Sequence, residues 1–333
     1  MSKNKNLKFS IIIPTRNINN YIRKAIPYYL KQTYKNFEIV VVTESGENEK
    51  FPNTKIIKVG KVPPSEKRNI GVKHSKGDIV AFIDDDAYPE KSWLENSLKD
   101  FENSSVSCVG GPSLNPPDSS FFQKVAGKVY ELSSGKTGIR YKKGKNKILV
   151  EDWPTCNFFV KRADFLQVGG FDSKYWGGED TRLCYELSKI GKKILYSPKV
   201  CVFHYQRENL KSYLRQTIFW GIWRGFLIKS YSKKSFKPTF IIPPLFVMWV
   251  LGGAFLAIFS EIFRYFYFGS FFIYLTFLFA TGIRAKSSSL FFPVILVTFL
   301  AQFAYGLGFF KGILSKKPTN KTFNPAENDK ITN

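Results

Sequence analysis

The sequence predicts an α/β domain built on a parallel or mixed sheet, followed by a helical transmembrane domain. Three features of the 333-residue chain carry that prediction. Apolar runs of strand length alternate with helix-like segments through the amino-terminal part, the pattern of an α/β domain. Stretches 240–260, 265–283 and 288–310 hold no charged residue. Three carboxylates, Asp84-Asp85-Asp86, directly follow an apolar run, and ligands bind beyond the carboxyl ends of parallel strands.

Taken in order, residues 9–13 read as a first strand, closed by Pro14-Thr15-Arg16-Asn17. Residues 21–32 place apolar side chains at helical spacing, with Pro27 as an interruption. A second strand, 37–42, ends at Thr43-Glu44-Ser45-Gly46, and 55–59 make a short third. Residues 66–76 read as a helix, and strand 78–83 leads into the acidic triplet before Ala87-Tyr88-Pro89 breaks it. Strands covered on both faces read as continuous apolar runs, as these do. Next come a strand-like 107–109, a polar stretch 133–146, a helix over 181–190 and a strand over 200–204 that ends at His204. Residues 210–227 read as an amphipathic helix carrying Arg215, Gln216, Trp220, Trp223 and Arg224, suited to a membrane interface.

At about 1.5 Å per helical residue, each charge-free stretch can cross a hydrocarbon core of about 30 Å. Pro243, Pro244 and Pro293 stand near segment starts, where a helix tolerates them best. The net charge is +24, and Lys229, Lys233, Lys234 and Lys237 lie directly before the first stretch. Such clusters attract anionic headgroups and mark the cytoplasmic side. No zinc-finger spacing or RNA-binding aromatic motif accompanies the charge, so no nucleic-acid partner is expected. The run 9–13 is too short for a signal peptide. The expectation is a multi-pass protein of the cell membrane with its amino-terminal domain on the cytoplasmic face. Three crossings would leave Lys311, Lys316, Lys317 and Lys321 outside, against the positive-inside tendency. Either the tail is an exception or one segment is re-entrant. Cys108, Cys156, Cys184 and Cys201 show no paired metal-ligand spacing and read as free packing thiols.

Three strand ends bring Thr15-Arg16, Thr43-Glu44-Ser45 and the acidic triplet to one edge of the predicted sheet. That layout suits a nucleotide, with a metal-bound diphosphate at the triplet. Adjacent carboxylates repel unless a cation gathers among them, and Mg²⁺ or Mn²⁺ take oxygen ligands and bridge to phosphates. An acidic turn is the plain alternative. Arg68 and Asn69 suit ribose or phosphate, against a simple surface helix. In Trp176-Gly177-Gly178-Glu179-Asp180 the glycines let backbone approach closely, and the carboxylates fall at a helix start. A carboxylate there either caps the helix or acts as a general base. His204 can complete a Mn²⁺ site or be structural, and His74 reads as a surface residue.

Together these segments resemble the family 2 glycosyltransferases, whose catalytic domain has the GT-A fold, a Rossmann-like nucleotide-diphospho-sugar transferase domain. The matching stretches run in family order: Ser10-Ile11-Ile12-Ile13-Pro14-Thr15-Arg16-Asn17, then Phe37-Glu38-Ile39-Val40-Val41-Val42, then Lys67-Arg68-Asn69-Ile70-Gly71. Residues 77–86, Gly169-Gly170-Phe171-Asp172, Gly178-Glu179-Asp180 and His204 follow, so the resemblance spans nearly all of 7–227. It implies that Pro14, Thr15, Arg16, Glu44, Arg68, Asp84, Asp85 and Asp86 bind a nucleotide-diphospho-sugar. It implies that Asp84, Asp86 and His204 hold Mn²⁺ or Mg²⁺, with Asp86 the more direct ligand. Asp180 matches the base that deprotonates an acceptor hydroxyl, with Glu179 beside it. Trp176, Gly178, Arg215, Gln216, Trp220 and Arg224 fall where the family meets acceptor or diphosphate. Thr43-Glu44-Ser45-Gly46 departs from the Asp-Asp-Gly-Ser often found in the family, leaving the base-contacting role to Glu44.

The implied reaction is an inverting transfer from the sugar nucleotide to a hydroxyl, on a lipid-linked glycan held by the bilayer. The implied organisation is a catalytic domain over 1–228, a basic linker 229–239, a membrane domain 240–310 and a polar tail 311–333. A polyprenyl-phosphate sugar synthase is the alternative enzyme, but its acceptor is already ionised and needs no base. A non-catalytic nucleotide-sugar-binding membrane protein is the alternative outside enzymes.

Overall fold

The computed structural model describes residues 6–45, 49–133, 135–174, 177–230 and 238–315. Strands β1 (Phe9–Pro14), β2 (Phe37–Thr43), β3 (Thr54–Lys58) and β4 (Ile79–Ile83) are interleaved with helices α1 (Asn20–Leu30) and α2 (Pro64–Lys73). There follow β5 (Ala87–Pro89), α3 (Trp93–Asp100), β6 (Val106–Gly110), β7 (Ser113–Leu114) and α4 (Phe121–Ser133). Next are β8 (Ile148–Val150), β9 (Asn157–Lys161), α5 (Arg162–Gln167), α6 (Glu179–Lys189), β10 (Lys193–Tyr196) and β11 (Val202–His204). The chain ends in α7 (Leu210–Ser230), α8 (Ile242–Phe259), α9 (Glu261–Arg284) and α10 (Ser288–Leu314). Backbone contacts divide it into two compact units, 1–117 with 139–205, and 118–138 with 206–333.

The first unit is organised by an eight-stranded mixed sheet in the order β3-β2-β1-β4-β9-β6-β10-β8. β3, β2, β1 and β4 are mutually parallel, so the ends of β1, β2 and β4 fall on one edge. Alternate residues feed two cores. Ile11, Ile13, Ile39, Val41, Ala81 and Ile83 pack with Ile22, Ile26 and Tyr29 of α1. Ile12, Val40, Val42, Val80 and Phe82 pack with Val72 of α2 and with Leu183 and Leu187 of α6. Burial on both faces is why these strands are apolar throughout, each such side chain stabilising by about 1.5–3 kcal/mol. A second, three-stranded sheet has the order β5-β11-β7. Its antiparallel register sets His204 opposite Ala87, directly after the acidic triplet. Pro27 is accommodated inside α1.

In the second unit, α8, α9 and α10 are each long and apolar enough to cross a membrane. Ile262 is 84% exposed, Phe292 75% and Leu314 83%. An apolar surface this extensive belongs in lipid, and it associates the chain with a membrane. α9 begins at Glu261, earlier than the charge-free stretch implies, because Ser260 Oγ accepts from Phe263 N–H and caps it. Two polar pairs join the helices: Tyr274 donates to Gln302 Oε1 at 2.6 Å and Trp249 Nε1 to Ser270 Oγ at 3.1 Å.

α7 does not have the amphipathic pattern expected of it, since its apolar residues are spread around the helix. The reason is that part of its buried face is backbone. A Cβ on Gly221 would lie 2.2 Å from Tyr305 O, and one on Gly225 2.0 Å from Phe309 O. From α10, a Cβ on Gly308 would meet Ile218 O at 2.4 Å and one on Gly312 would meet Ile222 O at 2.1 Å. Two GxxxG faces therefore meet with α7 and α10 running parallel, the close approach that small residues permit between membrane helices.

Candidate active site

The parallel register brings three strand ends together. Pro14 closes β1, and Thr15 N–H donates to Val42 O of β2 at 2.9 Å. Glu44 N–H and Thr43 Oγ1 both donate to Arg16 O, at 3.0 Å each. The Glu44 carboxylate accepts from Lys67 Nζ at 2.8 Å, and the same amine donates to Thr15 O at 2.8 Å. Lys67 is thus a bracing residue, and the surface-helix alternative for this segment does not hold. Instead Lys67 and Arg68 are 3% and 5% exposed. The cue was composition: glycine and valine at Gly71 and Val72 press α2 onto the sheet, where a Cβ on Gly71 would meet Ile12 at 2.5 Å.

The acidic triplet divides its labour. Asp84 accepts from Arg68 at 2.9 Å. Asp85 turns toward α1, accepting from Thr15 Oγ1 at 2.6 Å and Asn19 Nδ2 at 2.8 Å. Asp86 lies 2.9 Å from His204 Nε2. Ligand atoms of Asp84, Asp86 and His204 all fall within 4.8 Å of one another. Two carboxylates and an imidazole are a fitting donor set for Mn²⁺ or a similar divalent cation, so these residues can hold one. Burial and the neighbouring Asp86 and Asp84 push the Asp85 carboxyl up to about 6, with Thr15 pulling the other way.

Glu179 and Asp180 open α6, behind Gly178 at φ 83°. Glu179 accepts from Arg68 Nη1 at 3.2 Å, so the guanidinium joins the triplet to this segment. Burial, Asp180 and Asp84 raise the Glu179 carboxyl to about 7 against the pull of Arg68. Asp180 Oδ1 accepts from Thr181 N–H at 2.7 Å. Two further residues went unseen in the sequence. Asp152 accepts from Arg140 at 3.1 Å and approaches Thr181 Oγ1 at 3.4 Å, and the charges of Arg140 and Asp180 interact. Arg140 lay in a polar stretch without pattern, and Asp152 sits beside Trp153 with no motif to mark it.

Asn69 is not available to ribose or phosphate. Its amide donates to Phe171 O at 2.8 Å and accepts from Phe171 N–H at 3.0 Å. The left-handed Gly170 beside it leaves room only for hydrogen, since a Cβ would lie 2.8 Å from Asn69 Oδ1. Arg215, Gln216, Trp220 and Arg224 belong to the second unit, on α7. There Tyr130 of α4 packs at a tilt against Trp220 with ring centroids 5.7 Å apart, and its hydroxyl donates to Gln216 Oε1 at 3.5 Å. Arg224 lies over the Phe240 ring at 4.3 Å. Trp176, Gly46, Lys233, Lys234, Lys237 and the tail lysines 316, 317 and 321 lie outside the described residues.

Residues 10–165, which contain the strand ends and the acidic triplet, match the family described as Glycosyl transferase family 2. That stretch is a family 2 glycosyltransferase domain. This glycosyltransferase is 26% identical to a dolichyl N-acetyl-alpha-D-glucosaminyl phosphate 3-beta-D-2,3-diacetamido-2,3-dideoxy-beta-D-glucuronosyltransferase of Methanococcus voltae, over 94% of this chain and 99% of that one. It is 26% identical to a pre-mycofactocin glycosyltransferase of Mycobacterium tuberculosis, over 64% of this chain, and spans only 46% of that relative's length. Among solved structures, GalNAc-T7 with UDP, GalNAc and Mn²⁺ is similar with a TM-score of 0.48 and 16% identity, over 66% of this chain and 51% of that one. The family match falls within the mixed α/β sheet, and apolar helices that associate with a membrane follow it in the chain.

Proposed function

We propose that this glycosyltransferase moves a sugar, with inversion, from a nucleotide-diphosphate donor to a hydroxyl of a lipid-linked glycan, for cell-surface polysaccharide or glycoconjugate synthesis. The observation that carries the reading is the cluster of Asp84, Asp86 and His204 at the sheet's carboxyl edge, joined to Glu179 through Arg68. The full-length relative whose name specifies a dolichyl-phosphate-linked acceptor supports the lipid link.

Asp84, Asp86 and His204 are assigned to Mn²⁺ or Mg²⁺, and Pro14, Thr15, Arg16 and Glu44 to the nucleoside. A divalent cation bound there offsets the charge that develops on the departing diphosphate. Asp180 takes the proton of the acceptor hydroxyl as that oxygen attacks the anomeric carbon, and the bond to the diphosphate breaks on the opposite face. Trp176, Gly178, Arg215, Gln216, Trp220 and Arg224 are each assigned to the acceptor or to the donor's diphosphate. Catalysis is assigned to residues 1–228 on the cytoplasmic face and membrane spanning to 240–310, with 229–239 as the basic link.

The test is transfer by the full-length, detergent-solubilised protein from a panel of sugar nucleotides, with Mn²⁺ or Mg²⁺ present. Polyprenyl-linked glycans and bare polyprenyl phosphate are offered as acceptors side by side. Product on the glycan hydroxyl is expected. Product on bare phosphate alone would make the protein a polyprenyl-phosphate sugar synthase, and no turnover with any donor and acceptor would favour a binding protein.

A further inference from the structure

Arg68 sits mid-helix in α2, its side chain 6% exposed and its two terminal nitrogens divided between two carboxylates. One donates to Asp84 Oδ1 at 2.9 Å and the other to Glu179 Oε1 at 3.2 Å. Those acceptors serve different halves of the proposed reaction. Asp84 belongs to the cation and diphosphate, whereas Glu179 directly precedes the base. The guanidinium also lies 5.8 Å from the centroid of Phe171, whose backbone is clamped by Asn69, the next residue of α2. Its Nε is buried without a hydrogen-bond partner among the described residues. A guanidinium committed in this way is not presented to a ribose or phosphate as a free cation.

We propose that Arg68 is a positioning residue that couples the cation site to the segment bearing the base, an inference that rests on the function proposed above. Two consequences follow from its charge and its shape, and they have opposite signs. The positive charge beside Asp84 repels a divalent cation arriving at the same carboxylate, which holds cation affinity down. The planar fork fixes Asp84 and Glu179 in one frame, and through Glu179 it fixes the start of α6, where Asp180 stands. A lysine keeps the charge but as a point donor cannot serve both carboxylates with the same geometry.

The experiment compares wild type, Arg68→Met and Arg68→Lys as full-length protein in detergent. Mn²⁺ alone is titrated by electron paramagnetic resonance, and transfer kinetics are measured separately. Arg68→Met is expected to bind Mn²⁺ about tenfold more tightly, from removal of a nearby like charge. Its kcat is expected to fall at least about tenfold through misplacement of the base, with donor KM changed less. Arg68→Lys is expected to keep Mn²⁺ affinity within about threefold of wild type, because the charge stays, and still to lose kcat. Weaker Mn²⁺ binding by a folded Arg68→Met protein would overturn the proposal. If that variant does not fold, Arg68→Lys decides: wild-type kcat in it overturns the coupling. Absence of Mn²⁺ binding by wild type would instead remove the cation assignment itself.

Discussion

Asp85 is the middle carboxylate of the triplet, yet its hydrogen bonds run to Thr15 and Asn19. Asn19 in turn caps α1, accepting from Ile22 N–H at 2.9 Å. Asp85 therefore ties the end of β4 to the start of α1, while Asp86 is turned to His204. Asp86→Asn is expected to weaken Mn²⁺ binding at least about tenfold, whereas Asp85→Asn changes it less than about threefold; a spin-resonance titration of each reads the difference. Glu179 makes a pH prediction. Its carboxyl stands at about 7 in the folded protein, above the value near 4.3 of an unfolded chain. A raised carboxyl stabilises the fold while protonated, fully below about pH 4.3, and that stability is lost as pH rises through about 7. Glu179→Gln removes this contribution, so its unfolding temperature should vary less than that of wild type between about pH 4.5 and 7.5. A variant with an unchanged slope would place the titration elsewhere.

At the scale of elements, the parallel contact of α7 with α10 is made by glycine backbone rather than by an apolar stripe. This is why the sequence pattern suggested an interfacial amphipathic helix: glycines read as neutral, and the packing surface they make has no hydropathy signal. Gly312→Leu must displace Ile222 O, which a Cβ would meet at 2.1 Å. It should lower stability by about 1–3 kcal/mol or prevent folding, as overpacking does. Among the described residues nothing lies within 4 Å of a Cβ on Gly252 or Gly269, so Ala there is expected to be neutral or stabilising by about 0.5–1 kcal/mol. Thermal denaturation in detergent, run on all three variants, checks the contrast. The strands leading to the site were legible for the opposite reason. β1, β2 and β4 are buried on both faces, so the run of apolar residues is continuous and its end marks the ligand edge.

For the whole molecule, legibility in the sequence followed locality. The acidic triplet, the Gly178-Glu179-Asp180 segment and the three charge-free stretches are contiguous and could be read directly. Contacts between distant segments could not. His204 was tied to Asp86 only through the family resemblance, and the two meet because β11 pairs with β5 in one register. Arg68 meets Glu179 across 111 positions of chain, and Asp152 has no local motif at all. α4 escaped notice because its neighbours are α7 and α10, far along the chain, with Tyr130 of α4 set 5.2 Å from Tyr213 of α7. The exposed apolar surfaces of α8, α9 and α10 predict that the full chain sediments with membranes and needs detergent, not high salt, for release.

The most direct test of the proposed chemistry is sugar transfer by full-length wild type beside Asp180→Asn, with a sugar nucleotide, Mn²⁺ and a polyprenyl-linked glycan. The expected result is a fall in kcat of about 100-fold or more, the contribution of a general base, with Mn²⁺ affinity kept. Transfer to the hydroxyl at the wild-type rate in Asp180→Asn would contradict it.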